Sequence, residues 1–302
     1  MLAVAQDTVW ITDVANARWL PIDANLNFGS TVAFGSIGGL MLQQSIIGSD
    51  MVGNLYFALN QGQEVSLSSK GPLQVPVVRV RRRDWKVDTV TTIVVPSGRA
   101  SASRTVGPGE IQLMSTRPFA AEDQVAIVPN GSLFVLQTQT KSVKIIELSG
   151  RTRIGKPLSR PTIIVNESEK SAFRAAQVVA GSIFVMGGSG SAPRARSAGS
   201  RKPGAPLQDM PLTEWPKAKP AFLRGVLSSP TGTVWTLRPA PATEATKTYD
   251  LLDGSGQYAG AVSVSRDLSL ILIGRQHVYF SYTNEDGVQT VRRYPFPSTS
   301  RR

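Results

Sequence analysis

Gln124-Val125-Ala126-Ile127-Val128, Pro129-Asn130-Gly131, Ser132-Leu133-Phe134-Val135-Leu136-Gln137-Thr138: two short apolar runs joined by a Pro-Asn-Gly turn decide how the chain is read. Runs of this length, rich in Val, Ile, Leu and Phe and bounded by Gly, Pro and Asn, are strands of a hairpin. The pattern continues outward. Val143 to Leu148 is a third run, Ser149-Gly150 a second turn, and Arg151 to Gly155 a fourth strand. The plan recurs at Leu223 to Leu227, Pro230-Thr231-Gly232 and Thr233 to Leu237. Lys247 to Leu252 and Gln257 to Val264 follow, joined through Asp253-Gly254-Ser255-Gly256. Each set of four strands reads as one antiparallel unit.

The core of the unit, a small or polar pair, an aliphatic residue and an aromatic one, occurs six times. It reads Asp7-Thr8-Val9-Trp10, Gly53-Asn54-Leu55-Tyr56, Gly131-Ser132-Leu133-Phe134, Gly181-Ser182-Ile183-Phe184, Gly232-Thr233-Val234-Trp235 and Gln276-His277-Val278-Tyr279. The copies are mostly about 45 to 50 residues apart, the length of a four-stranded propeller blade. A blade is apolar on both faces and buries them only by stacking on its neighbours, so the repeated aromatic reads as an inter-blade packing residue. The expected fold is all-β: one six-bladed β-propeller of four-stranded antiparallel blades spanning residues 1–302. The interval from Tyr56 to Phe134 is 78 residues and leaves room for a seventh, degenerate blade.

Composition agrees with many strands and turns. The chain has 302 residues, 27 of them Gly and 20 Pro, and only 18% are charged. It contains no Cys, which removes disulfides, thiolate metal sites and a Cys nucleophile. No run of about 18 apolar residues occurs, so no membrane-spanning helix is expected. The formal charge of +12 is dispersed except at Arg81-Arg82-Arg83 and around Arg194, Arg196, Arg201 and Lys202. Those last four are the candidate contacts for an anionic partner. They carry no interleaved aromatics for base stacking, which argues against nucleic acid. Arg81-Arg82-Arg83-Asp84-Trp85 does join charge to an aromatic, but a turn between strands explains it equally well.

Two segments depart from the strand pattern. Asn166-Glu167-Ser168-Glu169 ahead of Lys170 to Val178 reads as a capping box opening one short helix, with Asn166 as cap and Glu169 at the third helical position. Residues 187–213, rich in Gly, Ser, Pro and Arg, lack the apolar groups to build a core and read as a flexible, disordered basic loop.

Trp10-Ile11-Thr12-Asp13-Val14-Ala15-Asn16-Ala17-Arg18-Trp19-Leu20-Pro21-Ile22-Asp23 resembles the NHL-type propeller repeat, in which a strand ends in Asp and an Asn-x-Arg turn follows. The whole chain resembles a largely uncharacterised group of bacterial six-bladed β-propeller proteins. The resemblance is carried by Pro118 to Val128, Val165 to Lys170, Glu214 to Phe222, Thr248 to Asp253 and Tyr282 to Val288. It implies export to the periplasm or outside the cell, and it implies no activity. In such propellers an N-terminal strand completes the last blade. Here Leu2 to Ala5 already reads as the inner strand of blade one, and the last blade offers three strands: Ser269 to Ile273, His277 to Tyr282 and Val288 to Tyr294. The expectation is that the natural protein extends upstream of Met1, where any signal peptide or lipid anchor would lie. The alternative is a ring that closes without overlap.

Chemistry is sparse. The single histidine, His277, sits in a strand, and no nucleophile elbow supports a triad through it. Gly187-Gly188-Ser189-Gly190-Ser191 lacks the Lys-Ser/Thr of a phosphate loop. Asp123 and Asp267 lie at strand ends, an ordinary place for Asp. No catalytic, cofactor or metal residue is assigned. The leading function is a non-enzymatic binding or scaffold propeller that takes a protein or small molecule on one face. The alternatives are a Ca-dependent lactonase-like hydrolase, which needs several oxygen ligands meeting at the channel mouth, and an electrostatic binder of an anionic polymer.

Overall fold

The computed structural model describes the chain apart from residues 1, 6–7, 14–15, 24, 34–36, 38–45, 60–71, 96–100, 104–111, 115–117, 120, 181–214, 285–286 and 297–302. The described residues form an all-β, antiparallel β-propeller with one helix. Blade one holds β1 (Leu2–Ala5), β2 (Thr8–Asp13), β3 (Arg18–Ile22) and β4 (Val32–Ala33). Blade two holds β5 (Ile46–Ser49), β6 (Leu55–Ala58), β7 (Leu73–Val80) and β8 (Val87–Val95). A two-stranded ribbon, β9 (Ser101–Ser103) with β10 (Gln112–Met114), precedes blade three. That blade contains β11 (Gln124–Ile127), β12 (Leu133–Gln137), β13 (Ser142–Ile146) and β14 (Thr152–Ile154). After helix α1 (Glu167–Ala180) comes blade four, with β15 (Leu227–Ser228), β16 (Val234–Leu237), β17 (Thr246–Leu252) and β18 (Tyr258–Ser265). Blade five has three strands: β19 (Leu268–Ile273), β20 (His277–Thr283) and β21 (Gln289–Pro295).

Five of the six aromatic copies lie on the second strand of a blade. Because side chains alternate along a strand, each blade offers two apolar faces, and the aromatic always takes the same one. Trp10 packs with Leu55, Phe57, Val78 and Val80 of blade two. Tyr56 packs with Leu133, Val135 and Ile127 of blade three. Phe134 packs with Val234 and Leu252 of blade four, and Trp235 with Val278 and Phe280 of blade five. Each aromatic therefore faces the following blade. Tyr279 keeps the same facing, opposite Val278 and Phe280, and is only half-buried. Among the described residues no hydrophobic cluster joins blade five to blade one.

The number of blades differs from the expected six: the described residues build five. The copy around Phe184 lies outside the described residues, and no blade stands between the third and the fourth. Phe134 and Leu136 share a core with Val234 and Leu252, and the Ser228 hydroxyl donates to the Ile127 carbonyl. The long interval from Tyr56 to Phe134 holds no seventh blade among its described residues. Besides the rest of blade two it holds the β9–β10 ribbon, and the Asp123 N–H donates to Val94 O, tying the end of blade two to the start of blade three. NHL repeats are likewise not shown, and the Asp13, Asn16 and Arg18 pattern is confined to blade one among the described turns. There Asn16 and Arg18 both donate to the Asp13 carboxylate, whereas the second-to-third-strand turns of blades three, four and five are built differently.

Described residues between blades three and four, Arg160, Glu169 and Lys219 among them, fold against blade four. Asn166 caps α1 as the sequence implies, its Oδ1 accepting from Glu169 N–H at 3.0 Å. The reciprocal half of the capping box is replaced. The Glu169 carboxylate is buried, paired with Lys219, and accepts from Ala242 N–H. A second buried pair joins Arg160 to Asp250 on β17, which also receives Arg238. Burial pushes the Arg160 guanidinium below its ordinary pKa, with Asp250 opposing that shift. The helix is not long and apolar enough to cross a membrane.

Two stability outcomes follow. Phe134→Ala is expected to cost about 3–5 kcal/mol, the usual range for a fully buried aromatic, while Tyr279→Ala costs well under half of that; equal losses in urea unfolding would contradict the half-burial of Tyr279. Asp250→Ala leaves Arg160 as a buried unpaired cation and is expected to cost about 3–5 kcal/mol.

Candidate functional site

Most sequence candidates fall away from any built site. Arg194, Arg196, Arg201, Lys202 and the 187–191 glycine run lie outside the described residues, as does the whole of 187–213. His277 opens β20, opposite Pro295 on β21, with no acid or nucleophile beside it among the described residues. Asp123 is buried and occupied, its carboxylate accepting from the N–H groups of Val94 and Thr138 at 3.1 and 3.0 Å. Asp267 stands apart from it, before β19. Among the described residues no three His, Cys, Asp or Glu side chains converge on a metal position.

The turns point elsewhere. Six hairpins share one five-residue turn, in which the first residue's N–H donates to the fifth's C=O and the fourth's N–H to the first's C=O. They begin at Asp50, Val128, Glu147, Ser229, Asp253 and Asn284. The fourth residue is always Gly, with φ between 77° and 87°. This is a tight turn closed by a residue in the left-handed region, where only Gly escapes a steric penalty. Five of the six, all but the Asn284 turn, join strands one and two or strands three and four and so sit at one end of the propeller.

Two further turns at this end, one of five residues and one of six, place a residue other than Gly in the left-handed region. In Asp23–Asn27 the left-handed position is Leu26, with φ 66°, and in Arg81–Lys86 it is Trp85, with φ 54°. These two turns frame a cavity of about 750 Å³ between blades one and two. Its floor is formed by Trp10, Pro21 and Ile37. Trp85 and Arg82 line it from blade two, and Asp23, Asn27 and Phe28 from blade one. Phe28 and Leu26 are 70% and 79% exposed, so the blade-one rim displays apolar side chains to solvent.

The cavity's lining carries one guanidinium, Arg82, and one carboxylate, Asp23. Arg79 and Arg81 are matched by Asp88 and Asp84. Arg82 has no such partner among the described residues; its guanidinium lies over the Trp10 ring, 4.9 Å from the centroid. Trp10 is 1% exposed and its Nε1 meets no hydrogen-bond partner. The one lining carboxylate, Asp23, is consumed within its own turn by the N–H groups of Asn25 and Asn27 and by Asn27 Nδ2. Those Asn27 bonds, with the Asn25 N–H, hold its carboxyl below the usual carboxylate range.

This arrangement left a partial trace in the sequence. The Arg81 to Trp85 segment forms a turn, as its residues indicate, and also a cavity wall, which spacing alone does not reveal. A stronger signal is comparative: Asp23-Ala24-Asn25-Leu26-Asn27 places Leu where the other turns place Gly.

No family model and no curated protein sequence matches the chain. Among solved structures it is similar to virginiamycin B lyase from Staphylococcus aureus, with 9% identity and a TM-score of 0.35 over 98% of this chain and 83% of that one. It is also similar to a member of the duf4221 family from Bacteroides vulgatus, with 8% identity and a TM-score of 0.41 over 96% and 76%. A third is the calcium-binding protein regucalcin from Agrobacterium tumefaciens, with 9% identity and a TM-score of 0.27 over 95% and 85%. Likeness at this level carries no argument about chemistry.

Leu26→Gly relieves a left-handed leucine whose side chain is exposed, and is expected to stabilise the protein by up to about 1 kcal/mol in urea unfolding; Gly232→Ala, the opposite exchange in open space, is expected to destabilise by a similar amount. The Asp23 turn has a defined acid limit. Its carboxyl is depressed in the folded protein, so its contribution is present above the ordinary Asp value of 3.8 and is lost as pH falls through the lower folded value. The Asn25 and Asn27 amide resonances are expected to hold from pH 7 to about 4 and to move only below that.

Proposed function

We propose that this protein is a non-enzymatic binding propeller whose ligand sits in the cavity between blades one and two, at the end carrying the tight turns. The observation that supports it most is the placement of Leu26 and Trp85. At this end Gly holds the left-handed position of every other five-residue turn, whereas Leu26 holds it in the Asp23–Asn27 turn and Trp85 holds the left-handed position of the six-residue Arg81–Lys86 turn, both beside the cavity. Backbone strain of this kind persists where the surroundings over-determine it, which is common at ligand sites. The cavity volume falls within the range of small-molecule sites, and its mixture of aromatic, hydroxyl, amide and guanidinium groups suits recognition rather than bond cleavage. In this reading blade one, with its NHL-like Asp13, Asn16 and Arg18, serves as the ligand-presenting blade.

The test is a titration of the ¹⁵N-labelled protein with neutral and acidic oligosaccharides and simple organic acids. The readout is the set of indole resonances. Trp10 and Trp85 are expected to shift together on binding, while Trp215 and Trp235 stay in place; Phe28→Ala weakens the response without changing the melting temperature. Shifts confined to the inner strands β11 and β19, with Trp10 and Trp85 unmoved, would place the ligand in the central channel and overturn the proposal.

A further inference from the structure

We infer that the ligand of this cavity is an acidic saccharide, a sugar chain whose carboxylate is received by Arg82; the inference rests on the binding reading above. Arg82 and the Trp10 Nε1–H only donate, while the hydroxyls of Thr8, Ser30 and Thr31 donate or accept. Arg82 is matched by no described carboxylate. The Trp10 Nε1–H is buried without a partner, and Asp23 has both oxygens engaged by Asn25 and Asn27. A guanidinium set over an indole face is held in place and desolvated on one side, which strengthens its pairing with a planar carboxylate. A cationic ligand would meet the Arg82 guanidinium, while the one lining carboxylate, Asp23, has both its oxygens already bonded within its own turn. A fully apolar ligand would bury the guanidinium unpaired, which is costly.

The rest of the lining separates a sugar from a simple organic acid. Ser30 and Thr31 bring two hydroxyls to the lining, and Phe28 from blade one and Trp85 from blade two bring aromatic rings. Hydroxyls to bond the equatorial oxygens, rings to cover the C–H face and a cation for the acid group together match a uronate residue. The groove is open at its mouth through the exposed Phe28, so a chain can extend beyond the residue held at Arg82. The formal charge of +12 adds long-range attraction for an acidic polymer.

The experiment uses trisaccharides of galacturonate and of mannuronate, each paired with its methyl ester, which keeps the sugar and removes the charge. Binding is followed by tryptophan fluorescence and calorimetry at two salt concentrations. At least one acid is expected to bind about tenfold tighter than its ester, with the preference shrinking in high salt and collapsing in Arg82→Gln. Phe28→Ala weakens acid and ester alike. Near-ultraviolet circular dichroism confirms that both variants are folded. Esters that bind as tightly as acids, with Phe28→Ala still weakening both, overturn the carboxylate assignment and leave the cavity as a site for neutral ligands. If no acid or ester binds in a way sensitive to Phe28→Ala, the sugar inference is overturned; the indole titration with organic acids then decides separately whether the cavity binds anything.

Discussion

The aromatic residue on the second strand of each blade, turned toward the blade that follows, is the contact on which this fold depends. A four-stranded blade has no interior of its own. Its strands alternate, and each of its two faces must be covered by another sheet before it repays the entropy of ordering. Trp10, Tyr56, Phe134 and Trp235 are four of the largest fully buried side chains in the protein, and each closes one boundary. The residues immediately before and after it on the same strand close the boundary behind. On β12, Leu133 and Val135 face blade two while Phe134 and Leu136 face blade four. Blade order is thus written into residue parity.

The turns follow from the same constraint. Strands packed on both faces leave little lateral freedom, so hairpins must be short and their twist must match. The five-residue turn with a left-handed fourth position satisfies this, and Gly occupies that position six times. At the blade two–three boundary the turns also bond to each other. The buried Asp50 carboxylate accepts from Asn54 and from the Tyr56 hydroxyl, and the Met51 N–H donates to Pro129 O. Burial first, and then the Asp50 charge, raise the Tyr56 phenol well above its ordinary pKa, so it remains a hydrogen-bond donor throughout the stable range. Between blades one and two it is the turns joining strands three and four, Asp23–Asn27 and Arg81–Lys86, that come together. A cavity stands there, walled by Trp85 and capped by exposed apolar residues.

Much of this architecture is legible in the sequence because it repeats. The aromatic core of the unit, the Pro-Asn-Gly and Pro-Thr-Gly turns and the Asn166 cap each sit where their residues place them. Blade number was not legible. The sixth copy, around Phe184, has the right residues, yet blades three and four pack directly on each other and the described part of the intervening chain builds a helix and two buried ion pairs. Local pattern specifies a strand and cannot specify which sheets become neighbours. The fate of Glu169 shows the same limit on a smaller scale. Its spacing from Asn166 suits a reciprocal cap, but a buried Lys219 supplies a stronger partner than a backbone N–H at the helix end. The cavity was the least legible feature, because its walls come from residues 23–28 and 82–85, brought together only by stacking two blades.

The most direct measurement of the stacking order is a double-mutant cycle between Phe134 on blade three and Leu252 on blade four, using Phe134→Leu and Leu252→Ala in urea unfolding. Residues that share a core couple by about 0.5–3 kcal/mol, and residues separated by another sheet do not. Direct stacking of blades three and four requires a coupling energy in that range. Additive effects within about 0.3 kcal/mol would mean that something stands between those blades, and the order of the propeller described above would be wrong.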